Sequence, residues 1–410
     1  MKPQRIIVVG AGFAGLWAAL GAARKRDELG LAPGDCEILI VNRDAYHGLR
    51  VRCYEADLAP TRVPLADLLE PVDVRWVVGD VQSLGLSDRT LRVPTPEGER
   101  ALAWDRLVLA AGGPLVRPPL PGLAEHAFDV DTYGGAARLQ AHLKTLAART
   151  ARGRGTALVV GAGLVGIEIA CELPERLRAA GLPAGEVRVI LADHADHIGS
   201  TMGPHAIPVI AEALSALGIE TRTGVAVTAV DATGATLASG ERIEAGTIVW
   251  CAGMRANPLA AELPGEHDRV GRVVVDEFLR SPGAAGVFAA GDAAALRIDG
   301  EHWSVMSCQH GRPMGRFAGH NVLADLVGAP LLPLAIDWYV TVLDLGPWGA
   351  LYTEGWDRRV VATGAEAKRT KQIINGQRIV PPLNRDRGAL LAAAAPVVQS
   401  PPESYAAHTK

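Results

Sequence analysis

The sequence has few cysteines, and no two of them lie close together. Five are present among the 410 residues, and the nearest pair, Cys36 and Cys53, is 17 positions apart. This spacing excludes zinc ribbons, ferredoxin-type iron–sulfur runs and a tandem redox disulfide. Because an odd number of scattered cysteines is typical of a reducing compartment, the sequence predicts a cytoplasmic protein.

The chain also lacks an excess of basic charge and a metal-binding histidine pattern. It has 41 basic and 45 acidic residues, a formal net charge of −4 and no long basic run. Nucleic-acid binding is therefore not expected, because it needs a basic patch that follows the phosphate backbone. The eleven histidines form no HxxxH or HExxH pattern, so no metal site is predicted.

No apolar run is long enough for a transmembrane helix. The uncharged stretch 6–23 resembles an export signal. However, its segment VVGAGFAG at Val8–Gly15 is repeated as VVGAGLVG at Val159–Gly166, in the middle of the chain, where an export signal does not operate. Both copies are therefore interpreted as folded structure. The expected membrane contact is at most peripheral, on the inner face, because residues 368–371 offer only a short basic cluster.

The composition is apolar and rich in glycine. Hydrophobic residues make up 49% and charged residues 21% of the chain, which is typical of a globular protein. A chain of this length accommodates two to three domains. Short β-branched runs at 6–9, 37–41, 156–160 and 187–191 alternate with helical patterns and predict α/β structure with parallel sheets, whereas 218–244 predicts an antiparallel meander.

Each repeated motif has the GxGxxG pattern of a dinucleotide-binding turn between a strand and a helix. The first glycine makes the turn, the second lets the backbone approach a pyrophosphate and the third allows close helix packing. The helix N-terminus favours the phosphate charge. The residues expected to contact cofactors are Gly10, Gly12, Phe13, Ala14 and Gly15 in the first copy, and Gly161, Gly163, Val165 and Gly166 in the second.

A polar residue ends the second strand of each repeat, where a ribose-binding side chain is expected. Gly161 follows Gly10 by 151 residues, and Asp193 follows Asn42 by the same 151 residues. A carboxylate at Asp193 can accept hydrogen bonds from the ribose and repel a 2′-phosphate, which predicts NADH rather than NADPH. The alternative is a solvated aspartate in a turn. Asn42 can bind ribose hydroxyls without charge.

These motifs together resemble the FAD-dependent pyridine nucleotide oxidoreductase superfamily and, within it, the type II NADH dehydrogenases. LVLAAGG at 107–113, IVWCAGM at 248–254 and AAGD at 289–292 belong to the same pattern. The resemblance implies an α/β fold of the glutathione-reductase type, with two Rossmann-like domains for FAD and NAD(P)H and a small C-terminal α+β domain. It adds Asn42, Arg43, Val81, Ala111, Gly112, Gly291 and Asp292 as FAD-binding residues, and Asp193 and Gly253 as NADH-binding residues.

The same resemblance, with changes of composition along the chain, predicts the domain boundaries. Aromatic, alternating segments follow residue 329, and the residues from 381 on resemble a loose tail. The predicted parts are 1–115 and 257–328 for the FAD-binding domain, 116–256 for the NAD(P)H-binding domain, 329–380 for the C-terminal domain and 381–410 for the tail.

Two candidate catalytic residues follow from the resemblance. Glu168 matches a carboxylate that lies near nicotinamide and flavin in the family, although an acid there also stabilises the helix dipole. Gln309 matches the first glutamine of the quinone-side AQxxxQ motif, but Pro313 replaces the second. Arg50 and Arg52 stand in a loop that is mainly apolar in the family. Two explanations stay open for these residues: they are ordinary surface arginines, or they face a polar or anionic acceptor.

The predicted activity is the transfer of hydride from NADH to FAD, followed by the transfer of electrons from FAD to a small quinone-like or polar acceptor. The protein is predicted to be a monomer or a homodimer. One alternative is a peroxide or disulfide reductase with Cys53 as its redox cysteine, since Cys53 follows Asn42 by 11 residues, near the family position. A buried, unreactive thiol is the other explanation of Cys53. Cys308 is a second candidate thiol. The other alternative is an NADH-dependent reductase of a small electron-carrier protein.

Overall fold

The structure is a computed structural model that describes residues 4–95 and 97–402. Residues 1–3 of the predicted FAD-binding domain and 403–410 of the predicted tail lie outside the described part. No helix within the described residues is both long enough and apolar enough to cross a bilayer. The α-helices, in chain order, are α1 Phe13–Glu28, α2 Leu65–Leu69, α3 Leu123–His126, α4 Tyr133–Leu143, α5 Leu164–Ala179, α6 Ile207–Ala216, α7 Cys308–Val327, α8 Gly364–Ile373 and α9 Arg387–Ala393.

The first sheet has five parallel strands. Its central strand, Gln4–Val9, carries the run IIVV, which is buried because helices and chain cover both faces of the sheet. Ile6 pairs with Ile38 on one side and with Arg106 on the other. The strand order is Val287–Ala289, Arg106–Leu109, Gln4–Val9, Cys36–Asn42 and Arg75–Val78.

The second sheet repeats this arrangement with the other fingerprint. The run TALVV forms a fully buried central strand. The strand order is Ile219–Arg222, Arg188–Ala192, Thr156–Val160, Thr247–Trp250 and Ala127–Phe128. The expectation of an antiparallel meander from residue 218 is therefore wrong at its start, because Ile219–Arg222 pairs in parallel with the strand Arg188–Ala192.

Smaller sheets complete the molecule, and the predicted α/β class with parallel sheets is confirmed. The C-terminal region contains an antiparallel three-stranded sheet, as its alternating aromatic pattern predicts. The domain boundaries themselves stay predictions. The smaller sheets are Val227–Asp231 with Gly234–Leu237 and Arg242–Glu244, Val340–Asp344 with Ala350–Glu354 and Arg359–Thr363, Tyr46–Gly48 with Arg62–Pro64, Thr90–Thr95 with Gly98–Ala103, and Val273–Val274 with Ala294–Ala295.

Helices α1 and α7 pack at very short range because glycines of α7 face the backbone of α1. A Cβ atom added at Gly315 would lie 2.3 Å from the Ala14 carbonyl oxygen, and one added at Gly319 would lie 2.1 Å from that of Ala18. Any side chain there would push the helices apart. This contact places the beginning of α7 against the first fingerprint.

The predicted loose tail is wrong for residues 387–394. Asp386 caps α9 by accepting a hydrogen bond from the Ala389 N–H. Leu390 and Ala394 are fully buried in the same core as the first sheet. Arg387 forms ion pairs with Asp27 of α1 and with Asp73. The apolar run of the tail therefore folds back onto the first sheet's helical layer.

Candidate functional site

The first fingerprint forms the expected strand–turn–helix at the carboxyl end of Gln4–Val9. Gly10 has φ +97°, and a Cβ added at Gly15 would lie 1.9 Å from the Gly10 carbonyl oxygen. In contrast, no atom lies within 4 Å of a Cβ added at Gly12. No side chain caps α1 and no acidic residue lies in its first turn, so its N–H groups are available to an anion.

The second fingerprint has nearly the same geometry. Gly161 has φ +101°, and a Cβ added at Gly166 would lie 1.8 Å from the Gly161 carbonyl oxygen. Gly163 again has open space beside it, and α5 begins without a side-chain cap or a first-turn acid. Two helix N-termini are thus shaped to receive a phosphate group.

Asn42 and Asp193 occupy equivalent positions and make equivalent hydrogen bonds. The Ala11 N–H donates to Asn42 Oδ1 at 3.0 Å, and the Ala162 N–H donates to Asp193 Oδ2 at 2.5 Å. Asp193 Oδ1 accepts a further hydrogen bond from the Ala195 N–H. Both side chains therefore hold the glycine turn in place, which is a structural role in addition to the predicted ribose contact.

Most of the other predicted flavin residues follow the parallel strands of the first sheet. Ligands of open α/β sheets bind at this edge, beyond the carboxyl ends of the strands. Arg43 is exposed just beyond the second strand. Val81 follows Arg75–Val78, Ala111 and Gly112 follow Arg106–Leu109, and Gly291 and Asp292 follow Val287–Ala289.

Asp292 lies beside Arg50 at this edge. Burial raises the pKa of the Asp292 carboxyl, and the charge of Arg50, whose Nη1 is 3.7 Å from it, opposes that shift. Arg50 is also bound by Asp131 and by the Gly113 carbonyl oxygen. The guanidinium of Arg50 is therefore neutralised within the chain.

At the second sheet, Gly253 follows the strand Thr247–Trp250 with φ +82°. Val165 is 40% exposed in the first turn of α5, which is unusual for a large apolar side chain at the start of an otherwise buried helix. Gly253 thus follows a strand of the second sheet, and Val165 belongs to the second fingerprint itself. That NADH contacts both residues stays a prediction.

Glu168 is buried in an ion pair and does not cap its own helix. Its Oε1 accepts hydrogen bonds from Lys371 Nζ at 2.7 Å and from the Asp344 N–H at 3.2 Å. Burial raises the pKa of Glu168, and the charge of Lys371 offsets part of this shift. Lys368 binds Asp344, so both lysines of the expected basic cluster 368–371 are engaged inside the protein.

No local pattern in the sequence marks Lys371 as the partner of Glu168. The two residues are 203 positions apart and meet because α8 packs against the strands Val340–Asp344 and Ala350–Glu354. Burial alone would lower the pKa of Lys371, but the ion pair with Glu168 holds it above its ordinary value. A buried, charged pair thus links the second fingerprint helix to the C-terminal sheet.

Gln309 lies in the first turn of α7, two residues after the N-cap residue Ser307. Its Nε2 donates to the Trp338 carbonyl oxygen at 3.4 Å. Cys308 is half-buried at the first position of the same helix, and burial raises its pKa. Gln309 therefore lies at the same end of α7 that contacts the first fingerprint.

Cys53 has the environment of an unreactive thiol. It is 2% exposed, packs in an apolar cluster with Tyr54 and Leu58, and burial raises its pKa to about 12. A thiolate, the reactive form, is therefore scarce at neutral pH. Arg52 forms an ion pair with Glu55, so neither this arginine nor Arg50 presents a free charge to an acceptor.

The profile of the pyridine nucleotide-disulphide oxidoreductase family matches residues 4–315. The chain belongs to this family. As a member of the pyridine nucleotide-disulphide oxidoreductases, it is 57% identical over 401 residues to the NADH dehydrogenase-like protein Rv1812c of Mycobacterium tuberculosis, covering 97% of this chain and 100% of that protein. It is 31% identical over 321 residues to the type II NADH:quinone oxidoreductase NdhA of the same organism, covering 70% and 66%.

Solved structures share the fold of this family member. The structure of NDH2 from Plasmodium falciparum in complex with RYL-552 aligns with a TM-score of 0.76 at 12% identity, covering 96% of this chain and 98% of that one. The sulfide:quinone oxidoreductase of Aquifex aeolicus aligns with a TM-score of 0.75 at 18% identity, covering 95% and 92%. At these identities the likeness concerns the fold alone.

Proposed function

We propose that the protein is a flavin-dependent NADH:acceptor oxidoreductase. The observation that carries this proposal is the pair of uncapped helix N-termini, each with open space at its second glycine, Gly12 or Gly163. Two dinucleotides can then bind to one chain. The relatives named NADH dehydrogenase-like protein and type II NADH:quinone oxidoreductase support the same activity.

The residues around the first fingerprint fit FAD. Gly12 and Phe13 offer backbone N–H groups to its pyrophosphate, and the largely buried Asp292 is at the place of a ribitol contact. Residues 1–115 and 257–328 are the proposed FAD-binding parts. When bound, the flavin supplies the redox chemistry, accepting hydride from NADH and delivering two electrons to the acceptor.

The residues around the second fingerprint orient NADH. Asp193 accepts hydrogen bonds from the adenosine ribose, and Gly163 lets the backbone reach the pyrophosphate. Val165 and Gly253 border the bound nucleotide. Glu168 positions the start of α5 through Lys371 and Asp344. Residues 116–256 are the proposed NAD(P)H-binding part, and NADPH is the weaker substrate because Asp193 repels a 2′-phosphate.

The acceptor is a small quinone-like or polar molecule that meets the flavin near Gln309. The names of the relatives support a quinone-like acceptor ring. One relative is the demethylphylloquinone reductase NdbB of Synechocystis, which is 30% identical over 359 residues, or 85% of this chain and 86% of that protein. Pro313, which replaces the second glutamine of the quinone-side motif, favours a small water-soluble acceptor over a lipid-soluble quinone. The protein is a cytoplasmic monomer or homodimer with at most a peripheral membrane contact.

The test is the flavin content and the reductive half-reaction of the purified protein. We expect one noncovalently bound FAD per chain, and rapid anaerobic loss of the visible flavin absorbance with NADH but slow loss with NADPH. FMN in place of FAD, or a flavin that NADH does not reduce, would contradict the proposal. Deuteride at the transferred position of NADH should slow the reduction if hydride transfer is the step observed.

A further inference from the structure

Two arginines of α7, Arg312 and Arg316, are buried without an acidic partner. They are 6% and 3% exposed. Within residues 4–95 and 97–402 neither forms an ion pair, Arg312 donates no hydrogen bond, and Arg316 donates only a long one, 3.5 Å, to the Val397 carbonyl oxygen. The buried Arg26, in comparison, donates to the carbonyl oxygens of Cys36, Val72 and Asp73.

This arrangement is costly for the protein by itself. A buried charge needs hydrogen-bond partners or an opposite charge to offset its lost hydration. Burial lowers the pKa of Arg312 to about 10, and the neighbouring charge of Arg316 acts in the same direction. Burial also lowers the pKa of Arg316 to about 10. A bound anion would offset the free-energy cost of burying both charges.

The side chain of Trp17 joins the two guanidinium groups. The carbon at the centre of each group lies over the indole ring, at 5.4 Å for Arg312 and 4.5 Å for Arg316. Such contacts contribute about 2 kcal/mol when desolvated, which is less than the cost of a buried unpaired charge. Trp17 Nε1, also a donor, has no partner either. Three donor side chains therefore lie together, and the long contact from Arg316 to the Val397 carbonyl oxygen is their one hydrogen bond to an acceptor among the described residues.

The cluster lies beside the proposed flavin site. Arg312 is one helical turn after Cys308 and interacts with its sulfur. The charge of Arg312 also acts on His47, whose ring packs edge-on against Phe13 of the first fingerprint at 5.6 Å. The cluster thus lies on the N-terminal halves of α1 and α7, with Arg312 one helical turn and Arg316 two turns after Gln309.

We propose that Arg312, Arg316 and Trp17 bind an oxyanion group of the electron acceptor, so that the acceptor is an anionic molecule such as a carboxylated or sulfonated quinone. This inference rests on the proposed function. Arginine pairs suit oxyanions because each guanidinium offers two parallel N–H donors to a pair of oxygen atoms. Val397, whose carbonyl oxygen lies 3.5 Å from Arg316 Nη1, has a side chain that is 54% exposed, so this edge of the cluster lies close to the protein surface.

The test is the reoxidation of the NADH-reduced holoenzyme by two naphthoquinones, an uncharged one and one with a ring sulfonate. The variants are Arg312→Gln and Arg316→Gln. Arg297→Gln is the control, because Arg297 is an exposed arginine outside α7 whose guanidinium likewise lies over a tryptophan ring, that of Trp303, at 4.7 Å. Comparing each acceptor across variants cancels the difference between the two reduction potentials.

We expect both α7 variants to lower the reoxidation rate constant for the sulfonated quinone at least tenfold, with less than a twofold change for the uncharged one and none for the control. An equal loss with both acceptors, or no loss, would overturn the inference. Reduction by NADH is measured separately in each variant. A wild-type flavin that NADH does not reduce would refute the proposed function instead.

An inhibition experiment on the wild type keeps the inference testable should a variant fold poorly. Benzenesulfonate, which has no redox activity, should compete with the sulfonated quinone and leave NADH reduction unchanged. If benzenesulfonate and inorganic phosphate slow both acceptors equally, the arginines bind a free regulatory anion and the assignment to the acceptor is wrong. If neither anion inhibits reoxidation, the cluster is not an anion site.

Discussion

The two fingerprints differ in what covers them, although their glycine turns are nearly superimposable in geometry. In the first, Ala14 is 7% exposed because α7 and Gly291 pack against it. In the second, the corresponding Val165 is 40% exposed. One motif therefore begins a helix enclosed between a sheet and a second helix, and the other begins a helix that is open to solvent at its first turn.

This difference matches two kinds of nucleotide. An enclosed site slows dissociation and suits a resident cofactor, whereas an open site allows a substrate to enter and leave in every cycle. The GxGxxG sequence alone does not distinguish them, because both copies contain it. The distinction comes from the glycines of α7, which lie about 300 residues after the first fingerprint. This difference supports the proposed assignment of FAD to the first site and NADH to the second.

The largest expected effect follows from opening the first site. The substitution Gly315→Ala places a methyl group 2.3 Å from the Ala14 carbonyl oxygen, so α7 must move away from α1. Overpacking of this kind costs about 1–3 kcal/mol. We expect the flavin content after dialysis to fall at least tenfold, as measured by absorbance after denaturation.

Gly311→Ala is the matched control on the same helix. Its Cβ would lie 3.8–4.0 Å from the nearest protein atoms, which is ordinary contact. This variant should retain its flavin. If Gly315→Ala also retains the flavin, the α1–α7 contact does not hold the cofactor in place, and the comparison of enclosed and open sites fails.

The second effect concerns His47, which only the first fingerprint has. Its Nδ1 contacts the Ala11 carbonyl oxygen at 2.8 Å. Burial lowers the pKa of His47 to about 4, Arg312 acts in the same direction, and the Ala11 hydrogen bond opposes the shift. The pKa of His47 is thus lower in the folded protein than the unfolded value of about 6.5. The free energy of unfolding is therefore unaffected by His47 above pH 6.5 and decreases as the pH falls from 6.5 toward 4.

At pH 5 the loss from His47 is about 2 kcal/mol. Denaturant unfolding followed between pH 7 and pH 5 should therefore show a shallower decline in His47→Gln than in the wild type. His310 has a pKa lowered by burial to about 4 as well, so part of the decline remains. A decline of equal slope in variant and wild type would show that the pKa of His47 is the same in the folded and the unfolded protein.

The parallel sheets and both glycine turns could be predicted because their signals are local. Each buried strand is a short β-branched run, and each GxGxxG lies directly after one. The antiparallel pairing predicted for the strand Ile219–Arg222 is wrong, since a short edge strand carries the same alternation in a parallel or an antiparallel sheet. Helix α9 was missed because its apolar face has meaning only against the core that it covers.

The side-chain contacts of the site could not be predicted in the same way. The ion pair of Glu168 and Lys371 joins residues 203 positions apart, and no local pattern marks either as a partner. Arg50 and Arg52 stand in a loop that is mainly apolar in the family, which suggests a contact with the acceptor, but acidic side chains nearby in space neutralise both. Arg312, for which the described residues supply no ion pair, lies in α7, and the residues around it in the sequence give no sign that it is buried.

The smallest expected effect comes from making the second fingerprint like the first. Asp193→Asn keeps an oxygen that can accept the Ala162 N–H hydrogen bond, as Asn42 does from Ala11. The substitution therefore removes the charge and leaves the turn supported. Without repulsion of a 2′-phosphate, kcat/KM for NADPH relative to NADH should rise about tenfold, which corresponds to about 1.4 kcal/mol.

Asp196→Asn is the control for this substitution, because Asp196 is an exposed acid three residues further along the same loop. It removes the same charge from the neighbourhood without touching the ribose position. If the nucleotide preference changes equally in both variants, the effect is one of general electrostatics. If it changes in neither, Asp193 only supports the turn through the Ala162 and Ala195 N–H groups, and the preference for NADH has another origin.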